Sequence, residues 1–313
     1  MVNVGLLGAD SPLAGEVIRI LIHHPETEII SLYAPSLFGR SATSVHHGLL
    51  GEIPLNFTDK INVEDIDLLI IIEESDISKT ILNNFDKFEN LKFIILPEIS
   101  LEDFKNLNYE IGLSEINRKA LVRGATVAYV PSPAIVSTLI ALAPLANFLL
   151  LNSDIKIEVT LPDDLYHKID IDKEKNLLQN HLKSFQSSFN GNIDLKTIPN
   201  PNEERSVKTI ISFNSALPLD EIEKIYDQTY DDHNFTFITG KEVLPEEVEG
   251  TQKNIISLSK PESGILQIEA IADGRMRGGA GDAVHIMNLF FGLHEKTGLT
   301  LKPSRYCSSK SSS

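Results

Sequence analysis

The sequence predicts a two-domain α/β chain: an open parallel sheet with covering helices comes first, and an α+β domain with a mainly antiparallel sheet follows. Three observations carry that prediction. Short continuous apolar runs, Val2 to Leu7, Ile66 to Ile72 and Leu91 to Leu96, alternate with polar helical stretches, as strands covered on both faces require. Beyond Leu151 the chain changes to strand-like segments separated by acidic and turn-rich stretches. A length of 313 residues with 42% hydrophobic content suits two cores better than one.

Taken in order, Val2 to Leu7 is a strand that runs into Gly8-Ala9-Asp10-Ser11-Pro12-Leu13. A helix is expected from about Gly15 to His23, with Val17, Ile18, Ile20, Leu21 and Ile22 on its buried face, and His24-Pro25 stops it. Glu28 to Tyr33 then completes a β-α-β unit of the dinucleotide-binding type, in which amides at a helix N-terminus meet a pyrophosphate. The glycine spacing is a weak signal, because Gly5-x-x-Gly8 is followed by Ser11 where a third glycine is expected, and such turns also occur where no nucleotide binds. After the second strand, Ser36, Arg40 and Ser41 suit the 2′-phosphate of NADP better than the diol of NAD, or form an ordinary solvated loop.

Further on, a strand at Val127 to Val130 leads through Pro131-Ser132-Pro133-Ala134 into an apolar helix, Ile135 to Leu151. The second domain then reads as a strand at Ile155 to Thr160 and an acidic polar stretch from Asp163 to Gln179. A loop follows at Pro199-Asn200-Pro201, then strands at Lys208 to Phe213, Phe235 to Ile238, Asn254 to Leu258 and Gly264 to Ile271, with a short helix at Leu219 to Tyr226. A last helix, Gly281 to Thr297, is entered through Arg277-Gly278-Gly279-Ala280. The domain expectation is therefore 1–150 completed by 281–306, then 151–280, with 307–313 a Ser-rich disordered tail.

Composition narrows the function classes. With 44 acidic against 28 basic residues, the formal charge of -16 repels phosphodiester backbones and anionic lipid, so neither nucleic acid nor membrane is an expected partner. No apolar run approaches the roughly 20 residues of a membrane span, and the chain turns at Gly5 before a signal-peptide core forms, so a cytoplasmic location is expected. The pairs His23-His24 and His46-His47 lack zinc spacing and are expected at the surface. The single cysteine, Cys307, forms no intramolecular disulfide.

Several segments, in order, resemble N-acetyl-gamma-glutamyl-phosphate reductase of the aspartate-semialdehyde dehydrogenase superfamily. They are Val4-Gly5-Leu6-Leu7-Gly8-Ala9 with Gly15 to Arg19, His24-Pro25-Glu26, Gly112-Leu113-Ser114-Glu115-Ile116-Asn117-Arg118, and above all Gly278-Gly279-Ala280-Gly281-Asp282-Ala283-Val284-His285 with the helix that follows. The resemblance implies a Rossmann-type domain binding NADP, a second domain for substrate and dimerisation, and NADPH-driven reduction of an acyl phosphate to an aldehyde. It implies cofactor contacts at Gly5, Gly8, Asp10, Ser11, Pro12, Leu13, Ser36, Arg40, Ser41 and Gly279, and a homodimer or homotetramer.

That chemistry needs a thiolate to attack the acyl phosphate and form the thioester that hydride reduces. The family's cysteine position is Pro133, with Ser132 beside it where the family has glycine. Ser132 is a poor replacement for reduction, since an oxygen ester accepts hydride less well than a thioester. The family's small-residue loop is replaced by Val159 to Leu165, with Asp163 and Asp164 opposing an anion. Its Pro-His-Gly loop is replaced by Glu73-Glu74-Ser75-Asp76, and His181 is the nearest histidine candidate. Arg275 and Arg277 could hold an anion, whereas Asp282 could itself satisfy the amides of the last glycine loop. Two readings follow: a non-catalytic relative that binds NADP or a small anionic metabolite or pairs with an active paralogue, or an active reductase with rebuilt chemistry or a different substrate.

Overall fold

The computed structural model describes residues 1–88, 90–99, 101, 104, 107–202, 205–261 and 264–303. The tail containing Cys307 lies outside them. The chain divides into two compact units, one built from Met1–Pro131 with Gly278–Thr300, the other from Ser132–Arg277.

In the first unit the parallel sheet contains β1 (Val2–Leu7), β2 (Thr27–Tyr33), β3 (Leu68–Ile71), β4 (Lys92–Ile95), β5 (Glu110–Ile111) and β6 (Val127–Tyr129), in the order β2-β1-β3-β4-β6-β5. Side chains of β1, β3 and β4 are buried almost without break, which explains why these strands read as continuous apolar runs. Helix α1 (Pro12–Leu21) begins earlier than the apolar spacing suggests. Ser11 is its N-cap, accepting the Ala14 N–H at 3.2 Å, and Pro12 at the first position has no N–H to satisfy. Helices α2 (Asp76–Leu82) and α3 (Ser114–Arg123) follow β3 and β5.

The second unit opens with α4 (Pro133–Asn147), buried from Pro133 to Ala146. Its sheet holds β7 (Ile155–Pro162), β8 (Ile193–Asn200), β9 (Ser206–Asn214), β10 (Thr236–Thr239), β11 (Asn254–Ser259) and β12 (Ile265–Asp273), in the order β10-β11-β12-β9-β7-β8. The three inner pairings are antiparallel and the two outer ones parallel. The stretch read as merely acidic and polar forms α5 (Asp163–Tyr166) and α6 (Ile171–Phe185), and α7 (Leu219–Tyr230) runs one turn past its expected end. Pro199 and Asn200, expected in a loop, close β8 instead. That strand is at the sheet edge, where a residue without an N–H is tolerated.

The chain returns to the first unit as α8 (Ala280–Phe290), every residue of which is buried. Its C-terminal carbonyls are met by a cation: Lys92 Nζ donates to Phe290 O at 2.5 Å and stands 5.2 and 4.9 Å from the ring centroids of Phe290 and Phe291. His24 is not a surface residue. It is 4% exposed, and its Nε2 lies 3.0 Å from Asn288 Oδ1, while Asn288 Nδ2 donates to the carbonyls of Glu295 and Thr297. Burial holds the His24 imidazole below its usual pKa.

Candidate functional site

The C-terminal edge of the parallel sheet assembles most of the residues expected to meet a dinucleotide. Gly8 leaves β1 at φ +79°, in the left-handed region that favours glycine. A Cβ there would come within 2.9 Å of Glu73 Cβ, so the close approach that demands glycine is to the segment after β3. On the other side the Ala9 N–H donates to Tyr33 O at the end of β2, which sets the Gly8–Leu13 turn beside the loop bearing Ser36, Arg40 and Ser41. Those three residues are exposed, and the loop is pinned by backbone bonds from Gly39 N to Phe57 O and from Phe57 N to Arg40 O. Gly5 is elsewhere, inside β1, where a Cβ would meet Ile66 Cδ1 at 2.6 Å; packing fixes this glycine.

The residues at this edge suit NADP at one end only. Arg40 with Ser36 and Ser41 offers an exposed cation and two hydroxyls to a ribose phosphate. At the other end the Ser11 hydroxyl and carbonyl already accept the Ala14 and Gly15 N–H groups, and Asp10 puts an acidic residue in the turn where a pyrophosphate would rest. Glu74 is ion-paired with Lys79 at 2.6 Å, and Ser75 caps α2 through a reciprocal bond with Ser78. His46, expected at the surface, is half-buried: its Nε2 lies 2.7 Å from Ala9 O, and its ring occupies the space a side chain on Gly15 would need.

In the second unit, the start of α4 holds Ser132 and Pro133, the position at which the resemblance expects a cysteine. Ser132 is the N-cap, 5% exposed, its Oγ accepting the Ile135 N–H at 3.4 Å; Pro133 is the first helical residue. Ser-Pro is a strong helix-start signature, and Pro133 contributes neither nucleophile nor N–H. The Ser132 hydroxyl donates to Glu174 Oε2 at 2.5 Å, a contact no local sequence signal announces because it depends on α6 packing against α4. Burial raises the Glu174 carboxyl to about 7, with the charge of Asp170 adding to the rise and the Ser132 hydrogen bond opposing it. His181 lies two turns further along α6, half-buried, with burial lowering its pKa.

The glycine loop before α8 supplies its own anion. Asp282 Oδ2 accepts the Gly278 N–H at 2.6 Å and Asp282 is 2% exposed; Gly279, the N-cap of α8, is buried in that loop. Neither nearby arginine is an open anion site. Arg275 Nη2 pairs with Asp164 Oδ2 at 3.0 Å, and Arg277 is 1% exposed. Asp273, fully buried, accepts from Arg205 Nε at 2.7 Å, from Gly250 N at 2.6 Å and from the amides of Arg275 and Met276. Among the described residues no cluster of metal-ligating side chains forms, and no helix is long and apolar enough to cross a membrane.

A parallel six-stranded sheet completed by a C-terminal helix, with a second mixed sheet in between, is the fold of the semialdehyde dehydrogenases. An aspartate semialdehyde dehydrogenase II from Vibrio cholerae, complexed with ASA, superposes with a TM-score of 0.71 over 93% of this chain and 98% of its own at 12% identity. The enzyme with NADP from Candida albicans gives 0.67 at 13% identity, over 93% and 99%. No family model matches the chain. Sequence relatives define it more narrowly: N-acetyl-gamma-glutamyl-phosphate reductase of Parabacteroides distasonis is 33% identical over 98% of this chain and the whole of that protein. The chain belongs to the N-acetyl-gamma-glutamyl-phosphate reductase family.

Proposed function

We infer that this protein is a family member that no longer performs the NADPH-dependent reduction and retains the fold for binding. The observation that carries this reading is Pro133 at the first position of α4, where the resemblance expects the thiol, in a chain whose single cysteine is Cys307. Without a thioester there is no efficient hydride acceptor. Asp10, in the turn at the phosphate end of the dinucleotide edge, acts in the same direction, since a carboxylate there disfavours a dianionic pyrophosphate.

Within that reading the protein is cytoplasmic and binds NADPH weakly, through the 2′-phosphate at Arg40, Ser36 and Ser41, or takes a small anionic metabolite. It assembles as a homo-oligomer through the second sheet. On the sheet face away from α4, cross-strand register aligns Phe237, Ile255, Ile271, Lys208, Thr160 and Ile198 in one row across all six strands. Phe237 and Ile198 in that row are 45% and 43% exposed, as a face between subunits requires.

The test is a fluorescence titration with NADPH and NADH, followed by an absorbance assay with N-acetyl-gamma-glutamyl phosphate. Expected are NADPH-selective binding that Arg40→Ala removes and no oxidation of NADPH above background. Steady NADPH oxidation coupled to semialdehyde formation would overturn the reading.

A further inference from the structure

We propose that Ser132 and Glu174 form a nucleophile–base pair that hydrolyses activated acyl groups, acyl phosphates or aryl esters, without any cofactor. Three observations meet at the hydroxyl. Ser132 Oγ already donates to Glu174 Oε2 at 2.5 Å, so its proton has an acceptor in place. Both residues belong to the same unit, Ser132 as the N-cap of a 15-residue helix and Glu174 on α6, which packs against that helix; the pairing rests on secondary structure rather than a loop. Glu174 is half-buried with an elevated pKa, so near neutral pH it is a much better proton acceptor than an ordinary surface carboxylate while being substantially ionised. The positive end of the α4 dipole favours the negative charge that develops on attack; Pro133 has no N–H to offer and the Ile135 N–H is already given to Ser132 Oγ.

The reaction balances with water alone. Ser132 Oγ bonds to the carbonyl carbon as its proton passes to the Glu174 carboxylate, the carbon–oxygen bond to phosphate or phenolate breaks, and an acyl ester on Ser132 results. Glu174 delivers its proton to the leaving group or to solvent. It then takes a proton from a water molecule that attacks the ester, and the Ser132 hydroxyl is re-formed as the carboxylic acid leaves. The oxygen ester that makes reduction inefficient is an adequate intermediate for hydrolysis, which needs no hydride. The inference does not depend on the site's losing or keeping reduction.

The full-length protein is incubated with 4-nitrophenyl acetate and, separately, with acetyl phosphate, in the absence of NADPH. Nitrophenolate and phosphate release are followed, and the acylated residue is mapped by mass spectrometry. Expected are release above background with both probes, an acetyl group on Ser132, loss of that adduct in Ser132→Ala, and acylation slowed roughly 100-fold in Glu174→Gln. Ser132→Cys, which keeps a nucleophile at the same N-cap, is acylated at its thiol and shows that the fold is intact where Ser132→Ala fails to accumulate. Release unchanged by either Ser132 variant, or an adduct that maps to other side chains, overturns the proposal. Adding NADPH to the same reactions separates the two readings: NADPH oxidation would remove the preceding one and leave this one standing.

Discussion

The Tyr230 hydroxyl donates to the carbonyl of Ile140, the group that Pro144, lacking an N–H, leaves without its helical partner. One turn earlier on α7, Tyr226 donates to the adjacent Ala141 carbonyl at 2.5 Å and is fully buried; burial holds its hydroxyl protonated well above the usual phenol range. A proline inside an otherwise apolar helix is thus compatible with complete burial because a neighbouring helix returns the missing donor. Tyr230→Phe should cost about 1–3 kcal/mol in urea unfolding. In a Pro144→Ala background, which restores the N–H, the same change should cost clearly less, and a strictly additive double-mutant cycle would refute this account.

A thiol at residue 133, where the resemblance expects one, should not by itself produce reduction. In Pro133→Cys the new side chain starts α4 beside Ser132, but the dinucleotide edge still carries Asp10 in its turn. NADPH consumption with N-acetyl-gamma-glutamyl phosphate should stay at the parent level. Substantial turnover from this single change would mean that the remainder of the reductase site is intact.

Glu174 makes stability fall as pH rises. Its folded-state pKa of about 7 lies above the ordinary carboxyl value, so between about pH 4.5 and 7 the folded state keeps a proton that the unfolded state releases. The contribution is present below that window and lost through it, by on the order of 2–3 kcal/mol. Glu174→Gln should flatten the decline, measured as the difference in unfolding free energy between pH 4.5 and pH 8. An identical slope in parent and variant would contradict the assignment.

Glu295 acts with the opposite sign. Its carboxylate accepts from His285 Nε2 at 3.1 Å and from Arg118 Nε at 2.8 Å, and these partners, His285 first, hold its pKa at about 2 against the opposing effect of burial. The stabilisation is complete above about pH 4.5 and disappears toward pH 2, amounting to about 2–3 kcal/mol. Glu295→Gln should lower the thermal midpoint at pH 7 and lower it several-fold less at pH 2.5, where about a quarter of the stabilisation remains. Equal losses at both pH values would show that shape rather than charge is responsible.

Strands β1, β3 and β4 were legible because burial on both faces writes an uninterrupted apolar run, and the glycine loop before α8 was legible down to the part Asp282 plays in it. What escaped depended on neighbours. Proline in β8 reads as a loop because only the strand's edge position makes it tolerable, and apolar spacing starts α4 late although Ser132-Pro133 marks its beginning. His24 reads as exposed beside His23, yet its ring is held by Asn288, 264 positions away in the chain. Glu174 carried no local signal at all, since only the packing of α6 on α4 brings it to Ser132.

Helix α8 packs against α1, α3 and β4, and all eleven of its residues are buried, although nearly the whole second unit precedes it in the chain. During synthesis the first sheet therefore leaves the ribosome with this covering helix still unmade. The second unit, continuous from Ser132 to Arg277, is emerging in the meantime. The unit translated first is completed last, and chains truncated before residue 280 should lean on chaperones for as long as they exist.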